Sequence, residues 1–201
     1  MKKLVIILDP AHGADVAGKR SPDGKHREYK WSRDRIKALK ATLTAEGYKV
    51  YQTTESENEP GLSKRRNFAT QICSGQPKLL ISPHNNAAGA DGKWHDAHGV
   101  AIYTTPGVTK SDICADFILS QFEKDFPELK VRKNAAKYLE KDFEANFTVI
   151  SGNDYMGVLI EWLFQDNKED VEKLLSYEYN SRFEASLVKA INKIEEHFFG
   201  E

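Results

Sequence analysis

With 201 residues, 40% of them apolar and 29% charged, the chain can bury a sizeable core and has the make-up of an ordinary globular protein. A formal net charge of −1, with lysine and arginine spread along the chain, excludes the electrostatic footprint of a nucleic-acid or anionic-membrane binder. No apolar run approaches the roughly 20 residues of a membrane span, so the expectation is one monomeric domain over 1–201 with neither nucleic acid nor membrane as partner.

The opening "MKKLVIIL" starts like an export signal, but the apolar run stops at Asp9-Pro10. That is short of the ~7–15 residues of a signal core, and no small-residue cleavage site follows. It reads instead as a first strand over 4–8. A helix is expected over 30–46, with Ile36, Leu39 and Leu43 on one face and Gly47 ending it. Then come a strand at 49–54, a helix at 62–73, strands at 79–82 and 99–105, and a helix at 111–126. "FTVI" (147–150) and "VLIEWLF" (158–164) read as further strands. The last helix, 177–198, gathers Phe183, Leu187, Val188, Ile191, Ile194 and Phe198 on one side. This alternation predicts an α/β fold: a single domain with a mostly parallel twisted sheet of about six strands and helices on both faces. Cys73 and Cys114 have no C-x-x-C spacing and read as free, buried thiols.

Three polar connections, 13–30, 55–61 and 85–98, are long enough to carry function. The first contains G-x-x-x-x-G-K at Gly13 to Lys19, close to a phosphate-binding loop. Such a loop needs a hydroxyl residue next and then a helix N-terminus. Here Arg20 follows, and "SPDG" is a turn. Lys19 then reads as a solvated loop residue with no chemical task.

The alternative for the same stretch is a metal. His12 lies just past the first strand, His84 just past the third, and Glu161 at the end of the last. In a parallel sheet these ends share one edge, and Glu28, at the head of the first long helix, can reach it. Two histidines and a carboxylate leave zinc a fourth position for water, and a further carboxylate can move protons. A glutamate at the end of an apolar strand is the sharpest of these signals, because a buried carboxylate is costly unless paired or bound to metal. His26 could compete as a ligand, but a loop role fits it better. His95 and His98 lie in a Gly- and Asp-rich loop with no helix to organise a second metal site, and could rim a groove.

"ILDPAHG", "REYKWS", "LSKRRNFA", "LLISPHNNA", "HGVAIYTT" and "VLIEWLFQDN" resemble, in order, the motifs of the zinc-dependent N-acetylmuramoyl-L-alanine amidases of the amidase-3 type. The resemblance runs from Leu4 to the final helix. It implies Zn2+ as cofactor, held by His12, Glu28 and His84, with Glu161 as catalytic carboxylate. The implied reaction is hydrolysis of the amide between N-acetylmuramic acid and L-alanine in peptidoglycan, Glu161 taking a proton from water and passing it to the departing amine. Arg65 matches a family arginine, read here as supporting the helix or the site. Three positions depart from the pattern. Ala11 stands for glycine and would be strained at positive φ; Pro83 stiffens the turn before His84; Leu163 replaces a glycine and predicts a different path after Glu161.

Two other functions remain open at this point: a zinc peptidase cutting within the stem peptide, and an inactive relative that only binds peptidoglycan. The second is disfavoured, since a binding module needs no proton shuttle. Action at the cell wall is expected, either as a phage endolysin released from the host cytoplasm or as a bacterial amidase exported with a leader that this sequence lacks. No separate wall-binding domain is expected within 1–201.

Overall fold

The computed structural model describes residues 2–134 and 141–200. In chain order they form β1 (Val5–Leu8), α1 (Glu28–Ala45), β2 (Lys49–Gln52), α2 (Leu62–Gln71), β3 (Lys78–Asn86), β4 (Val100–Thr104), α3 (Lys110–Asp125) and β5 (Phe143–Glu144). After a 3₁₀ turn at Thr148–Ile150 come β6 (Met156–Phe164), α4 (Lys168–Leu175) and α5 (Tyr177–Phe199). The strands make one six-stranded sheet in the order β2-β1-β3-β6-β4-β5. β1, β2, β3 and β6 are parallel, and β4 runs antiparallel to β6 with β5 parallel to it. The expected α/β architecture is therefore present.

Strand side chains alternate between two covered faces, which is why the strands read as unbroken apolar runs. Ile6, Leu79, Ile81, Val158, Ile160 and Trp162 face α1, α3 and α5 in the main core. Ile7, Leu80 and Leu159 face Ala69 of α2 together with Val149 and Ile150. Trp162 anchors the larger core, its ring 4.6 Å from Phe183, 4.9 Å from Phe122 and 5.0 Å from Phe126 between centroids.

Two expectations need correction. "FTVI" is not a strand. Its Val149 and Ile150 bury against the sheet face while Tyr155 Oη donates to Val149 O at 2.6 Å, closing a 3₁₀ turn. The edge is taken by Phe143 and Glu144, paired with Tyr103 and Thr104. Helix α4 was not expected: Asn167 caps it by accepting from Asp170 N at 3.0 Å, within a segment whose polar start hid its period. β3 also runs beyond 82, so His84 lies inside the strand rather than past it.

Because β4 opposes β6, the 87–99 connection leaves β3 and enters β4 at the same pole of the sheet. That pole is where the parallel strands end, and it carries the site.

Candidate metal centre and active site

The pole is built from the end of β1 outward. Asp9, fully buried, accepts from Arg65 Nε (2.9 Å) and Nη2 (2.6 Å), from Ser82 Oγ (2.7 Å) and from Thr53 Oγ1 (2.5 Å). Arg65 also reaches Glu59 at 2.9 Å, so its role is to pin α2 to the strand end. From there the chain turns outward. Ala11 N donates to Ser32 Oγ (2.9 Å), and that hydroxyl donates to Pro83 O (2.7 Å), tying α1 to the β1–α1 connection and to β3. Gly13 follows where a Cβ would come within 2.0 Å of Glu59 N, so no larger residue fits. Residues 21–26 form a closed turn, with Gly24 N donating to Ser21 O at 2.9 Å, and α1 begins only at Glu28. No helix directly follows Gly18-Lys19, and the first N–H of α1 donates to Lys19 O and is not free for a phosphate, which removes the phosphate-loop reading.

Glu28 opens α1, where the helix dipole favours a carboxylate. Its Oε1 lies 3.3 Å from His12 Nε2 and 2.9 Å from His84 Nδ1, and it accepts from Asn85 N at 3.1 Å. Gln165 Nε2 donates to Oε2 at 3.3 Å. Burial pushes the Glu28 carboxyl upward, but the two imidazoles outweigh it and hold the group below the usual carboxylate range. The three ligand atoms all lie within 4.8 Å of one another, the one such cluster among the described residues. Donors around a tetrahedral metal such as zinc stand roughly 3.3 Å apart, so two imidazole nitrogens and a buried carboxylate at this spacing are a donor set able to hold a metal ion.

Glu161 stands beside them, since β6 pairs with β3 in the register His84↔Glu161. The residue is half-buried, but its Oε2 is enclosed and has no hydrogen-bond partner. Burial raises its pKa to about 7; His84 and Lys19 pull it down and Glu28 pushes it up. Trp162, next along β6, points to the opposite face into the main core, so packing on one side fixes the carboxylate on the other.

The family model for N-acetylmuramoyl-L-alanine amidases (Amidase_3) matches residues 6–193. This chain belongs to that family. The amidase is also similar to solved structures, at identities that speak for the fold. These include the N-acetylmuramoyl-L-alanine amidase of Clostridium difficile 630 (TM-score 0.82, 19% identity, 96% of this chain and 97% of that one). The amidase AmiC2 of Nostoc punctiforme gives TM-score 0.79 at 21% identity, over 95% of this chain and 96% of that one. The catalytic domain of the CD27L endolysin targeting Clostridia difficile gives 0.64 at 18%, over 94% and 96%. No curated protein matches at a significant level.

The amidase accommodates its departures from the family pattern in three ways. Positive φ falls on His12 (φ 45) and not on Ala11, so alanine is unstrained there. Pro83 sits beyond the Leu8↔Ile81 pair that closes the β1 ladder, and its carbonyl is used by Ser32. Leu163 keeps a glycine-like backbone, φ 62, at a bulge where β6 spends one residue more than β3 between the His84 and Asn86 pairings. After Glu161 the backbone thus passes through a conformation that strains a leucine.

His26 is buried, 2.8 Å from Asn85 Oδ1, and burial lowers its pKa. It is a core residue outside the cluster. His95 pairs with Asp91 at 2.9 Å and His98 with Asp96 O at 2.9 Å. Both cysteines are free, Cys114 buried and Cys73 half-buried. Sequence reasoning missed Asn85, which also donates to Trp162 O (2.7 Å), and Gln165. Their only signal was position, one residue after His84 and four after Glu161. It also left Lys19 solvated; the structure half-buries it, with its carbonyl accepting from Glu28 N at 3.1 Å.

Proposed function

We propose that this peptidoglycan amidase hydrolyses the amide between N-acetylmuramic acid and L-alanine, with His12, Glu28 and His84 holding zinc and Glu161 moving the proton. The observation that supports it is the convergence of three ligand atoms within 4.8 Å beside a strand glutamate whose enclosed oxygen has no partner. When bound, zinc supplies Lewis-acid chemistry, making water a nucleophile near neutral pH and polarising a carbonyl.

The remaining chemistry belongs to the chain. Glu161, with a pKa raised by burial to about 7, is poised to accept a proton from the attacking water and to return it to the departing L-alanine nitrogen. Glu28, kept ionised by the two imidazoles and by the Asn85 and Gln165 donors, is suited to staying a ligand. Two carboxylates a strand apart thus take different roles through their surroundings. The polymer places this action at the cell wall.

The test is mass spectrometry of digested sacculi with and without a chelator. New L-alanine amino termini that vanish on chelation support the reading. New amines within the stem would mark a peptidase, and no cleavage at all would mark a binding protein.

A further inference from the structure

A groove of about 450 Å³ adjoins the metal cluster, walled on one side by Lys19 and Arg20 and on the other by Lys93, Gln165 and Asp166. It shares residues with the site. Gln165 donates to Glu28, whose backbone N–H donates in turn to Lys19 O. Lys19 is also close enough for its charge to pull on Glu161.

The groove's polar groups are unmatched in two ways. Among the described residues no carboxylate lies within ion-pair distance of Lys19, Arg20 or Lys93, although isolated acids are near. Asp23 is held by Ser21 and Lys25, Asp91 by His95 and the Lys93 N–H, and Asp166 Oδ2 by the Ala88 and Gly89 N–H groups. Conversely, Gln165 Oε1 and Asp166 Oδ1 are buried acceptors with no donor, on side chains 2% and 5% exposed. Buried acceptors left empty are costly, and a ligand with N–H groups would fill them. Three cations beside two vacant acceptors call for a peptide that bears a carboxylate.

Resting on the amidase reading above, we propose that this groove holds the peptide arm of the muropeptide. A free stem carboxylate pairs with Lys19, Arg20 and Lys93, and peptide N–H groups donate to Gln165 Oε1 and Asp166 Oδ1. The groove then selects stems by charge, and amidation of that carboxylate weakens the substrate. Because Arg20 and Lys93 are exposed, the charge term is partly screened and shrinks with salt.

The experiment uses the zinc-loaded protein and N-acetylmuramoyl-L-alanyl peptides in which each stem carboxylate in turn is replaced by carboxamide. The same peptides without the sugar are titrated calorimetrically. For one position, the free carboxylate should bind about fivefold to tenfold tighter and lower KM by that factor with kcat unchanged. R20Q/K93Q and K19Q should each reduce that preference, read as the ratio of free-carboxylate to carboxamide affinity in calorimetry and as the matching ratio of KM values. Equal binding of all probes by wild type, or full preference retained in both variant proteins, would overturn the proposal. If no muramoyl probe is cleaved, the amidase reading falls, and the calorimetric arm still decides the groove.

Discussion

Glu161 sets its proposed role in proton transfer against stability. Its carboxyl holds a proton in the folded chain up to pH about 7, against an ordinary value of 4.5. The stability it contributes is therefore fully present below about pH 4.5 and is lost as pH rises to 7, above which a buried charge remains. In metal-free protein at pH 8, Glu161→Gln should gain on the order of 2 kcal/mol, raising the melting temperature by roughly 5 °C. Metal content should stay as in wild type while hydrolysis falls at least ~100-fold. A calorimetric scan showing no gain at pH 8 would mean that the carboxylate is solvated. Leu163 is the second case. At φ 62 with a fully buried side chain, its packing competes with its backbone. Leu163→Ala should lose about 3 kcal/mol of packing and keep the strain, whereas Leu163→Gly relieves it. In urea denaturation the glycine variant should be the more stable of the two, by about 1 kcal/mol; the reverse order would show that the bulge is unstrained. The candidates His12, His84 and Glu161 could be picked out because polar residues end or interrupt apolar strand runs, and Glu28 because it heads the helix after the His12 loop. The strain on Leu163 could not, since a leucine in an apolar run gives no sign of its φ.

At the scale of elements, the Asp9–Arg65 pair decides where β1 stops and α2 docks. Both side chains are essentially unexposed, 0% and 1%, so removing either leaves a lone buried charge. Arg65→Met should cost about 3–5 kcal/mol. The double variant Asp9→Asn/Arg65→Met should be less damaged than the sum of the two single ones. A double-mutant cycle in denaturant measures that coupling, and simple additivity would mean that the pair does not pin the helix. The long helices were legible from their 3.6-residue period, with ends shifted by a residue or two. The polar second half of β3 was not, since Pro83, His84, Asn85 and Asn86 carry no strand propensity and pair only because β6 runs alongside them. "FTVI" failed for the opposite reason: four apolar residues cover a sheet face as well as they extend its edge.

For the whole molecule, the candidate ligands come from the β1–α1 connection, the head of α1 and the middle of β3. A bound ion would join segments far apart in sequence and so hold the fold as well as the chemistry. Chelation should remove about 4 kcal/mol of stability if zinc is supplied at ~1,000 times its dissociation constant, and so lower the melting temperature. His12→Ala and His84→Ala should each lose most of the metal and become insensitive to chelator. Metal analysis showing unchanged zinc in both would remove the ligand assignment. The sheet order itself was not readable from the sequence, because it depends on β4 reversing direction beside β6, which leaves no local trace.

That reversal has a consequence for loop length. The 87–99 connection begins and ends on one pole, so no strand or helix depends on its length, and doubling it costs only about 0.6 kcal/mol in closure entropy. It runs beside the candidate site and is moored to the β6–α4 region through Asp166 at Ala88 and Gly89, Asn167 at His95 and Asp170 at Gly99. Its length can therefore change at little cost wherever those moorings are kept.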